Sequence, residues 1–95
     1  MEYREEIEMS ISQKDFYRLL PVALKNCEYE VYENKISISY KTGSIKILHG
    51  NELTRSIASL TLPVLKLVFV FNKISNEDIL CFMNDFSRSY QRGGG

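Results

Sequence analysis

The chain has little of what builds a metal or redox site: two cysteines and one histidine in 95 residues. Cys27 and Cys81 stand too far apart for a C-x-x-C pair, and His49 has no second histidine near it. Neither a zinc site, a disulfide framework nor any other cofactor is therefore expected. Net charge is also missing, because twelve basic residues balance twelve acidic ones. No strong field draws the domain toward nucleic acid or anionic lipid. Long apolar runs are absent too. The longest, "LPVLKLVFVF" over residues 62–71, is interrupted by Lys66 and is about half of the roughly 20 residues a membrane helix needs. The start, "MEYREEIEMS", is acidic and lacks the basic and apolar parts of a secretory leader, so cytoplasmic residence is expected. Glycine is scarce before the end of the chain. "KTGS" and "HGN" are single-glycine turns, which excludes a glycine-rich phosphate loop.

What is present suits a single packed domain. A composition 44% hydrophobic and 25% charged, with only two prolines, is that of an ordinary globular protein rather than a disordered or fibrous one. Residues 1–92 are read as one globular domain and 93–95 as a flexible glycine tail. Ile7, Met9 and Ile11 alternate with Glu6, Glu8 and Ser10, the period of a half-buried strand. Ser12, with Asp15 three residues on, opens a helix whose apolar stripe is Phe16, Leu19, Leu20, Ala23 and Leu24. Pro21 is expected to kink or restart it. Alternation then returns around Tyr29 and Val31, around Ile36, Ile38 and Tyr40, and around Ile45 and Ile47, separated by turns at Asn34–Lys35 and "KTGS". In "LTRSIASLTL" the apolar parity changes between Ile57 and Ala58, which predicts a β-bulge or bend within one strand. Pro63 is expected to mark a break, followed by the most hydrophobic strand of the chain. Ser75, with Asp78 three residues on, opens a last helix with Ile79, Phe82, Met83, Phe86 and Tyr90 on one face. That helix should end just before the glycines.

The order β-α-β(4–5)-α predicts an α+β fold, a two-layer sandwich with an antiparallel sheet of about five strands and both helices on one face. It is similar in order to the half-domain of the TATA-box binding protein, a resemblance of topology without a sequence motif. If Ile7, Val31, Ile38, Ile47, Leu67 and Phe69 face the helices, the other face carries glutamates, serines, Tyr32, Lys46 and Lys66, together with Val68 and Val70. The two valines, joined by Leu48, are an apolar patch on a face that would otherwise be polar. They make Tyr32, Leu48, Lys66, Val68 and Val70 candidates for a protein interface, most simply a symmetric homodimer. Arg88, Tyr90 and Arg92, before the glycines, are further candidates for docking on a second copy or a partner.

Other chemistry is weaker in the sequence. Lys46, Arg55 and Lys66 fall in a basic stretch and are an alternative anion or nucleic-acid contact. No aromatic stacking set accompanies them, and lysines at strand edges serve solubility equally well. His49 is expected on the surface, Cys27 and Cys81 as plain thiols, and carboxylate pairs such as Glu77–Asp78 as helix-start residues. No catalytic residue is indicated, and no small-molecule ligand is named by any motif. The end, "RGGG", resembles the diglycine terminus of ubiquitin-like and sulfur-carrier proteins, which implies an alternative role for Gly94 and Gly95 as a terminus activated for transfer. Those families lead into the tail from a strand, whereas here a helix precedes it. The expected function is thus a non-enzymatic interaction or ligand-binding module, acting as a homodimer or a partner subunit.

Overall fold

The computed structural model describes residues 2–93. Its elements are β1 (Glu2–Met9), α1 (Gln13–Ala23), β2 (Glu28–Tyr32), β3 (Lys35–Tyr40), β4 (Gly43–His49), β5 (Leu53–Ile57), β6 (Leu60–Asn72) and α2 (Asn76–Gly93). The chain is of the α+β class, with six antiparallel strands rather than about five. The strand order is β1-β6-β4-β3-β2, and β5 pairs with β6 beside that path.

Each helix starts where its first free amides find an acceptor. Ser12 is extended, and its hydroxyl accepts the Asp15 N–H at 3.1 Å. The Glu52 carboxylate, from the loop between β4 and β5, takes the Gln13 N–H at 2.7 Å, a second cap supplied from far along the chain. Ser75 does the same work for α2 through the Asp78 N–H at 3.2 Å. Pro21 neither breaks nor restarts α1. It lies in the last turn, and the helix closes two residues later at Ala23 with the Leu24 N–H on the Leu20 carbonyl.

The turns explain the remaining differences from the sequence reading. Three two-residue hairpin turns open with a non-glycine residue at positive φ: Glu33 at 51°, Lys41 at 54° and Ala58 at 55°. This backbone normally calls for glycine or asparagine, so Glu33, Lys41 and Ala58 do not announce their turns; Asn34 and Gly43 mark the first two, and nothing marks the third. The first turn is Glu33–Asn34, one residue before its expected place. At Ala58–Ser59 the parity change is a full reversal of the chain between β5 and β6, not a bulge. β6 runs straight through Pro63, which opposes Thr54. At that point β5 is the one neighbour of β6, since pairing with β1 begins only at Leu65, so a missing amide can face the unpaired side.

The core forms where alternate residues of the sheet meet the two apolar stripes. Ile36, Ile38, Ile45, Ile47, Leu65, Leu67, Phe69 and Phe71 are buried with Phe16, Leu20, Leu24, Ile79, Phe82, Phe86 and Tyr90. Aromatic rings link the elements. Phe86 meets Phe69 edge-on at 5.2 Å and lies 4.8 Å from Tyr90, whose ring stacks on Phe16 at 5.5 Å. The Tyr90 hydroxyl donates to the Phe16 carbonyl at 2.7 Å, tying the end of α2 to the start of α1. Tyr90 is therefore a core residue, 4% exposed, and not a surface contact.

His49 is also buried, at 6%, contrary to the expected surface position. The last residue of β4, it opposes Leu67, and its ring lies edge-on to Phe16. Burial is tolerable because both ring nitrogens are engaged, Nδ1 with the Gly50 carbonyl at 2.8 Å and Nε2 with the Tyr17 hydroxyl at 2.5 Å.

Three outcomes test this packing. Truncating Phe86→Ala should cost about 3–5 kcal/mol in urea unfolding, because four aromatic contacts of its ring vanish together. A Cβ at Gly43 would lie 2.0 Å from the Asn72 backbone oxygen, so Gly43→Ala should destabilise by at least about 1–3 kcal/mol and lower the melting temperature. Burial raises the Tyr90 phenol above its ordinary value of 10.0. The unfolded chain then ionises first, so the stability is complete below about pH 10 and falls as pH rises beyond it. Tyr90→Phe should flatten that alkaline loss in pH-dependent unfolding.

Candidate functional site

The strand register gathers most of the candidate interface residues on one surface. Glu6 opposes Val68, Val68 opposes Leu48, Leu48 opposes Lys35, and Lys35 opposes Tyr32. One row thus crosses five strands with two apolar residues at its middle. The next row runs Arg4, Val70, Lys46, Ser37 and Glu30. Because successive strand residues point to opposite faces, both rows face away from the buried isoleucines and phenylalanines that meet the helices. Lys66 opposes Glu8 on the same face.

Burial within these rows is uneven. Val68 and Leu48 are half-buried, whereas Val70 is only 9% exposed between Arg4 and Lys46. The long stems of such neighbours can cover a valine while their charges stay in water. Tyr32 is exposed at the β2 edge, with the Lys35 ammonium 5.9 Å from its ring centre.

The apolar character continues beyond the five-strand part of the sheet, which the sequence reading missed. On the β5–β6 hairpin, Leu53, Ile57, Leu60, Leu62 and Val64 fall on the same parity as Val68 and Val70, and Thr54, Ser56 and Thr61 on the other. Ile57 and Leu60 are 53% and 62% exposed. The molecule measures 46 × 25 × 22 Å, and the 13 residues of β6 at about 3.3 Å each span nearly all of its long axis. A signal existed in the sequence, since Leu53 and Ile57 keep one parity and Leu60 and Leu62 another. It needed the Ala58–Ser59 turn to be read.

The basic candidates do not form a basic tract. Arg55 is engaged in an ion pair with Glu8, and Lys66 stands opposite that same glutamate. Lys46 lies a row away, opposite Val70, so the three candidates are spread over separate rows. Of the α2 candidates, Arg88 is exposed on the helix side of the molecule, in a cleft with α1, and Tyr90 is in the core. Arg92 belongs to the last turn of α2, which continues through Gly93 instead of stopping before the glycines. The proposed roles of Gly94 and Gly95 lie outside the described residues. Among the described residues no cluster of three or more His, Cys, Asp or Glu is placed to hold a metal ion, and no helix is long and apolar enough to cross a membrane.

No protein-family model matches the chain, and no curated protein matches it.

The Arg55–Glu8 pair has both side chains well exposed, so Arg55→Ala should change unfolding free energy by less than about 1 kcal/mol. A urea titration checks this. A larger loss would mean that the arginine stem supports the hairpin by packing.

Proposed function

We propose that this protein is a non-enzymatic interaction module that pairs with a second copy of itself through the sheet face turned away from the helices. The reading takes the fold as a two-layer sandwich with both helices on one face, which leaves the other sheet face open. The observation that carries it is the apolar strip along β6, continuous in parity from Leu60 to Val70 and broken only by Lys66. Val64 and Val70 are already buried in it, but Leu60 is exposed and Leu62 and Val68 are half-buried, and monomeric proteins seldom leave apolar side chains grouped in this way uncovered.

The charge order across the sheet favours a copy of the same chain as the cover. A two-fold axis parallel to the strands, passing between β6 and β4, reverses each row on the opposing sheet. Val68 then meets the partner's Leu48, and Glu6 meets the partner's Lys35. One surface is thereby complementary to itself, which an isologous dimer requires. Two such sheets pack face to face about 10 Å apart.

Sedimentation equilibrium should show a dimer, and Val68→Lys should weaken it by about 100-fold or more, since an ammonium would be buried against the partner's Leu48. Glu6→Lys alone should weaken association, and Glu6→Lys with Lys35→Glu should restore it. A wild-type chain that stays monomeric at high concentration overturns the reading.

A further inference from the structure

A second feature, on the helix side, is independent of the sheet face. The end of α1, the turn at residues 25–27, the end of β3 and the middle of α2 enclose an open cleft of about 820 Å³. That volume lies within the roughly 300–1,000 Å³ usual for small-molecule sites. Its floor is aromatic: the Tyr40 ring meets Phe82 edge-on at 5.3 Å, with Leu19 and Ala23 beside them.

The polar groups around the cleft are mostly cationic. Lys25, Lys41 and Arg88 line it, against the carboxylate of Asp85 alone. Lys41 lies 3.8 Å from Asp78 outside the cleft. Lys25 and Arg88 have no ion-pair partner among the described residues. The C-terminal end of α1 would repel an anion, but its last carbonyls are partly engaged. The Leu20 carbonyl accepts the Leu24 N–H, and the Leu24 carbonyl accepts the Cys27 N–H, both at 2.9 Å. Lys25 follows directly and offsets what remains.

We infer that this cleft binds a small aromatic carboxylate, with its ring against Tyr40 and Phe82 and its carboxylate between Arg88 and Lys25. A planar ring packs on Tyr40, which is half-buried, with the buried Phe82 backing it edge-on. A guanidinium fork matches a carboxylate with two parallel hydrogen bonds, and a nearby ammonium adds a point charge. A cationic ligand would face Lys25 and Arg88 with Asp85 alone to offset them, and a neutral one would leave Arg88 unused.

The two thiols provide a site-specific readout. Cys27 lines the cleft and is half-buried, whereas Cys81 is exposed and does not line it. Naphthalene-2-carboxylate should slow iodoacetamide alkylation of Cys27 several-fold and leave Cys81 unchanged. By calorimetry, naphthalene-2-carboxamide should bind at least about tenfold more weakly than the carboxylate, and Arg88→Ala should lose at least about tenfold in carboxylate affinity. Arg88 is exposed, so that variant should unfold at the wild-type temperature, and Val68→Lys should bind the carboxylate normally. Equal binding of acid and amide, undiminished binding by Arg88→Ala, or unprotected Cys27 each overturns the inference.

Discussion

The structure depends on one strand that must satisfy two surroundings at once. β6 pairs with β1 and β4 over its C-terminal half and with β5 over its N-terminal half, so every other strand reaches the sheet directly or indirectly through it. In the C-terminal half, Leu67, Phe69 and Phe71 lie in the aromatic core while Val68 and Val70 line the opposite face. In the N-terminal half, Leu60 stays in solvent and Leu62 is half-buried, while Val64 and Leu65 are buried. The same apolar side of the strand is thus covered at Val64 and Val70 and open at Leu60.

That division explains which parts of the fold were legible in the sequence. Alternation placed the core strands correctly because one face of each is buried, so Ile36, Ile38, Ile45 and Ile47 could not be mistaken for surface residues. Both helix starts were legible as well, since Ser12 and Ser75 cap them by the spacing that capping chemistry requires. The β5–β6 hairpin was not legible. Its turn uses Ala58 and Ser59 where a glycine or asparagine would announce it, and Pro63 inside a strand argues for a break unless the neighbour's absence on one side is known.

Much of the candidate surface was also visible from parity. Tyr32, Leu48, Lys66, Val68 and Val70 share a face because parity survives any shift of register by two. What parity could not supply was the row that joins Glu6 to Lys35 across the sheet, since this depends on which strands are neighbours. Tyr90 was misplaced for a related reason. Its spacing marked it as apolar-facing, but only the bond to the Phe16 carbonyl shows that its hydroxyl too is used within the molecule. His49 was misplaced because the partner that makes its burial tolerable, Tyr17, stands far away in sequence.

The pairing of β1 with β6 has a kinetic side. Glu2 opposes Asn72, so the ladder of β1 closes across a separation of about three quarters of these 95 residues. The β2–β3–β4 meander, by contrast, pairs between near neighbours and meets β6 across a shorter loop. Loop closure favours the local pairs, so the meander with β6 is the natural first nucleus and β1 the last strand to dock. Until it docks, one flank of the most apolar strand presents free amides and carbonyls. Once β1 has docked, its glutamates line the sheet edge with like charge, which discourages edge-to-edge growth.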